Sequence, residues 1–97
     1  MKINNKNYAI PELNYNTLCD LENMGISLEE MDKKIFSTIR GFLALTMNND
    51  YEKAGEEIEA HLKSGGSLDD AVKDIAKAVD QSGFLENAFI QGEYNEM

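Results

Sequence analysis

Glycine and asparagine cut this chain into pieces of helical length. Gly25, Asn48-Asn49, Gly65-Gly66 and Gly83 fall between stretches whose apolar residues recur every three or four positions. Both residue types accept the left-handed backbone that commonly ends a helix. The pattern predicts a mainly α fold, a small helical domain with an N-terminal β-hairpin. At 97 residues there is one domain, 1–97, because single cores occupy about 50–200 residues. It divides into a hairpin over 1–11, helices across 14–90 and a flexible tail over 91–97.

In the first eleven residues Ile3, Tyr8 and Ile10 surround Asn4-Asn5-Lys6-Asn7, and Pro11 ends the run. Asparagine tolerates the positive φ of a tight hairpin turn, and proline cannot donate to a ladder. A short helix follows, capped by Asn14 or Asn16 and stopped at Gly25, with Tyr15, Leu18 and Leu21 on one side. Ser27-Leu28-Glu29-Glu30 has capping-box spacing, so a second helix is predicted to start there. It carries the broad stripe Met31, Ile35, Phe36, Ile39, Phe42, Leu43 and Thr46. Gly41 inside it costs about 1 kcal/mol relative to alanine unless a neighbour uses the missing side chain, and close packing is the expectation. Asp50 caps a third helix with the stripe Tyr51, Ala54, Ile58 and Leu62, closed by Gly65-Gly66. Ser67 then opens a fourth, through Leu68, Ala71, Val72, Ile75, Ala78 and Val79 to Gly83. If the segment from Phe84 to Ile90 is helical, Leu85, Ala88 and Phe89 share a face, while Phe84 and Ile90 lie off it.

Acids outnumber bases 18 to 9, giving a formal charge of −9. Such a field opposes phosphate backbones and anionic lipid, so neither nucleic acid nor membrane is expected as a partner. Other proteins are. Lone Cys19 forms no internal disulfide and suits a reducing cytoplasm. With one histidine beside it the chain falls short of the ligands of a structural zinc site. The longest apolar run, Phe42 to Leu45, is far too short for a membrane span, and Asn4-Asn5-Lys6-Asn7 interrupts any signal peptide.

No catalytic, metal or cofactor site emerges. His61 is read as a surface residue near the negative end of its helix, and Cys19 as a small boundary residue. Glu56, Glu57 and Glu59 are neighbours on an exposed helix, and Asp69-Asp70 suit a helix start. Gly66-Ser67-Leu68-Asp69 looks like the attachment region of acyl carrier proteins, which would place a modification on Ser67. Those proteins carry an Asp where this chain has Gly66. An acidic decoy that mimics nucleic acid is a further alternative, although Lys53, Lys63, Lys73 and Lys77 interleave the acids. Met24, Met31 and Met47 fall at helix ends and joints and read as gap fillers. Phe84, Leu85, Phe89 and Ile90 exceed what one stripe can bury and form the candidate partner-binding surface.

Several of these pieces occur in a recognisable order. The hairpin ending at Ile10-Pro11 leads to Asn16-Thr17-Leu18-Cys19-Asp20-Leu21-Glu22 and Met24-Gly25-Ile26-Ser27-Leu28. Ala54-Gly55-Glu56-Glu57-Ile58, His61-Leu62 and Gly65-Gly66-Ser67-Leu68 follow. This order, at this length, resembles the tail assembly chaperones of long-tailed bacteriophages and prophages. The resemblance implies a non-enzymatic, mainly helical protein of the bacterial host cytoplasm, without cofactor. It would bind the tape-measure protein, keep it soluble and recruit tail-tube subunits, with assembly into a homo-oligomer compatible with its small core. Members of that family are commonly also made in a longer, frameshifted form.

Overall fold

The computed structural model describes residues 1–82. The protein is mainly helical with a short N-terminal hairpin. Strands β1 (Lys2–Ile3) and β2 (Lys6–Asn7) pair antiparallel, with Lys2 opposite Asn7 and Ile3 opposite Lys6. Asn4 and Asn5 form the turn at φ of 54° and 62°, the pair of left-handed residues that matches strand twist. Four helices follow: α1 (Tyr15–Asn23), α2 (Ile35–Leu45), α3 (Tyr51–Lys63) and α4 (Asp69–Ser82). The expected helical reach to residue 90, the stop at Gly83 and the tail from 91 lie outside the described residues.

Local chemistry sets most of the boundaries. Asn14, rather than Asn16, caps α1: its side chain accepts from the Thr17 backbone N–H at 3.0 Å, while Thr17 Oγ1 accepts from the Asn14 N–H at 2.7 Å. Gly25 ends that segment at φ 87°. Asp50 caps α3 by accepting from the Lys53 N–H at 3.0 Å. Asn48 and Asn49, both at positive φ, make the turn before it. Gly65, at φ 93°, follows α3.

The second helix does not start at Ser27. Residues Leu28–Glu30 form one 3-10 turn and α2 begins only at Ile35. Ser27 Oγ donates to the Glu30 carboxylate at 3.0 Å, and the Glu30 N–H goes to the Ser27 carbonyl at 3.1 Å, so the capping signal closes a single turn. Packing forbids the longer helix. A straight helix through this region would hold positions 26 and 41 about 20 Å apart along its axis. Yet a Cβ at Gly41 would overlap Ile26 Cδ1, and Ile26 is buried. The chain must fold back to bring them together, and the close packing expected at Gly41 is supplied by Ile26 and Leu21.

Phe42, Leu21, Ile39, Leu43 and Ile3 form the fully buried centre. Helices α2 and α3 make the most extensive pairing, and β1 packs against both α3 and α4. Thr38 is the buried polar residue among the described ones. Its Oγ1 donates to the Lys34 carbonyl at 2.8 Å and lies 3.2 Å from the Met31 carbonyl, so burial leaves no hydroxyl unsatisfied. Met24, Met31 and Met47 pack partly buried against this centre, as gap fillers.

Several stripe positions face outward instead of inward. Tyr15 is 77% exposed, because a helix turns about 100° per residue and carries it some 120° away from Leu21. Phe36, in the first turn of α2, is 73% exposed. Tyr51 and Leu62, at the two ends of α3, are also exposed, as is Val72. Only the middle of that third stripe, Ala54 and Ile58, reaches the core.

Candidate functional site

Among the described residues, two places bring polar or apolar groups together beyond ordinary packing. The first joins the hairpin to α3. Glu57 and His61 stand one helical turn apart, and a spacing of four puts them on the same face. The Glu57 carboxylate accepts from Tyr8 Oη at 2.7 Å, from Asn4 Nδ2 at 3.3 Å and from Lys6 Nζ at 3.3 Å. The Tyr8 hydrogen bond, aided by those from Asn4 and Lys6, holds Glu57 below the ordinary carboxylate range against an opposing effect of burial. Burial, with the hydrogen bond to Glu57 and its negative charge, pushes Tyr8 up to about 12.

His61, expected on the surface near the negative end of its helix, stands in the last turn of α3 and takes part in the same junction. Its Nδ1 accepts from the Asn4 backbone N–H at 2.9 Å, and its Nε2 lies 2.9 Å from the Ser67 carbonyl. A carbonyl only accepts and a backbone N–H only donates, so the ring is the neutral tautomer with its proton on Nε2. One side chain thereby ties the hairpin turn to the loop before α4. Gly66 makes room for the ring, since a Cβ there would overlap the imidazole. Ser67 is exposed, and its hydroxyl accepts from the Asp69 N–H at 3.1 Å. The hydrogen bonds of this junction run between the hairpin, α3 and the loop before α4, the arrangement of a clasp.

The second place is an open groove of about 180 Å³ between α2, α3 and the start of α4. Phe36, Ile39, Ile58 and Leu68 supply its apolar lining, which Gly55 and Arg40 help to complete. Arg40 lies over the Tyr51 ring at 5.3 Å from the centroid, a stacking that holds the guanidinium over the aromatic face. Its aliphatic stem runs close to Gly55, where a Cβ would stand 3.5 Å from Arg40 Cδ.

The candidate partner residues Phe84, Leu85, Phe89 and Ile90 lie outside the described residues. Phe36 and Arg40 were the residues missed. The adjacent pairs Ile35-Phe36 and Phe42-Leu43 were the available signal, since neighbours about 100° apart make the stripe wider than a single packed face. Among the described residues no group of three or more His, Cys, Asp and Glu side chains converges to hold a metal. Cys19 is half-buried on α1. No described helix is long and apolar enough to cross a membrane. No protein-family model, curated protein or solved structure matches the chain.

Proposed function

We propose that this protein is a phage tail assembly chaperone that binds the tape-measure protein and keeps it soluble while the tail tube is assembled, without chemistry of its own. The observation that carries the reading is an apolar groove edged by a largely exposed phenylalanine, on a small helical domain with a charge of −9. A long, apolar-rich helical protein aggregates when its faces are left uncovered. Many copies of such a domain cover it, and their outward acidic surfaces keep the coated complex dispersed by like-charge repulsion. Each copy binds weakly, and avidity along one chain supplies the strength, so tail-tube subunits displace the copies one after another. The order of sequence segments that resembles this family, and the small helical fold, support the same reading.

The test is co-expression with a tape-measure protein from the same genome, followed by affinity capture and sizing of the soluble fraction. The expected result is a soluble complex with many copies of this protein per long chain. A long protein that stays insoluble and unbound in its presence rejects the reading.

A further inference from the structure

We infer that the groove between α2, α3 and the start of α4 seats one face of a partner helix, and that Arg40 selects a face carrying an Asp or Glu among its apolar residues. This deepens the chaperone reading and rests on it only for the partner's identity. The groove is about 180 Å³, below the roughly 300–1,000 Å³ of pockets that enclose whole small ligands. It fits side chains projecting from a helix laid across it, in the manner of apolar anchors spaced three or four residues apart.

The charge at the groove identifies what those anchors must be accompanied by. Arg40 is the single arginine of a chain with 18 acids. Among the described residues the ion pairs are made by Lys6, Lys34, Lys63 and the Met1 ammonium, and none by Arg40. Arg40 is half-buried as a residue, and its guanidinium is held over the Tyr51 ring. A planar, weakly hydrated cation fixed in the lining of an apolar groove is matched by a carboxylate, which it can grip through two parallel hydrogen bonds. A second copy of this chain would bring a further charge of −9 against the groove, which disfavours it as the occupant. A partner helix with one acid in its docked face and no acidic outer surface satisfies both the groove and the field.

Two synthetic helical peptides with the same leucine stripe, one with a Glu and its twin with a Lys at the central position beside the stripe, serve as probes. Fluorescence anisotropy with the full chain at low salt is expected to show the Glu peptide binding on the order of tenfold tighter than its Lys twin. Arg40→Met keeps the aliphatic stem and should erase that preference, and Phe36→Ser should weaken both peptides. Circular dichroism melts establish that both variants are folded. Equal binding of the two peptides, no binding of either, or a Glu preference that survives Arg40→Met overturns the inference, whether or not the chaperone reading holds. With the co-expressed long protein, a photo-crosslinking residue at position 36 should label apolar helical stretches bearing an acid. Crosslinks confined to residues 83–97 of this chain or to a second copy overturn it as well.

Discussion

Tyr8 Oη donates a 2.7 Å hydrogen bond to Glu57 Oε2, joining the end of the hairpin to the middle of α3 across 49 positions of sequence. Asn4 and His61 make a second tie one turn away, at 2.9 Å. A two-stranded hairpin is marginal by itself in water, so these ties and the burial of Ile3 give it a fixed place on the helices. The N-terminal segment thus belongs to the core: Ile3 is fully buried, and the Met1 ammonium pairs with Asp74 of α4 at 3.3 Å.

Acid should loosen the hairpin through Glu57. Its carboxyl is held below the ordinary value of 4.5, chiefly by the Tyr8 hydroxyl. A depressed native value stabilises the fold above the unfolded one, and the benefit disappears as pH falls through the native value. Glu57→Gln should therefore flatten the acid limb of stability measured by urea unfolding between neutral pH and pH of about 3. An unchanged acid limb in Glu57→Gln would remove this group from the account.

Alkali should act through Tyr8, whose hydroxyl is raised from 10.0 to about 12. A raised native value means that the unfolded chain loses its proton first. The stabilisation is complete below pH 10 and is lost as pH climbs towards about 12. Absorbance titration should show a late phenolate that is absent from Tyr8→Phe. At neutral pH that variant should lose about 1 kcal/mol, the net worth of one hydrogen bond.

His61→Ala should free the hairpin turn from both α3 and the loop before α4. Two hydrogen bonds are lost, and the expected cost is about 1–2 kcal/mol. Amide exchange at Asn4 should accelerate well beyond the change at α2 amides, and nitrogen shifts of the wild-type ring should report a proton on Nε2. Gly66→Ala should produce the same exchange signature, because its Cβ would displace the imidazole. Uniform acceleration along the chain, or a ring protonated at Nδ1 alone, would contradict the clasp.

Gly41→Ala is expected to destabilise although alanine is the better helix former. The propensity gain is about 1 kcal/mol, whereas forcing an extra methyl against buried Ile26 and Leu21 costs about 1–3 kcal/mol. A net loss of about 1 kcal/mol in thermal or urea unfolding follows. Ile26→Val in the same background should recover part of it by withdrawing the Cδ1 atom that the new methyl meets. A Gly41→Ala protein more stable than wild type would show that α1 and its exit do not close on α2 as described.

Sequence reading succeeded where the deciding interaction is local. Asn14, Asp50, Gly25 and Gly65 act within a few residues of themselves, and their caps and left-handed turns stand where side-chain chemistry placed them. It failed at Ser27, where a good local signal for a helix start was overruled by the need to bring Ile26 onto Gly41. Periodicity found the buried centre at Ile39, Phe42 and Leu43 but carried Phe36 and Tyr15 along with it. A stripe records which side of a helix is apolar, and says nothing of how far the neighbouring helix extends.

The sequence by itself determined the helical class, the hairpin turn, most of the helix ends and the acidic surface, all of which follow from residues acting on their near neighbours or from summed charge. Only the tertiary structure decided that Glu57 and His61 receive the hairpin. It alone placed Arg40 in the lining of an apolar groove, with no ion pair among the described residues. Those relationships join residues far apart in the chain, and which side chains meet depends on how α3 lies against β1 and α2.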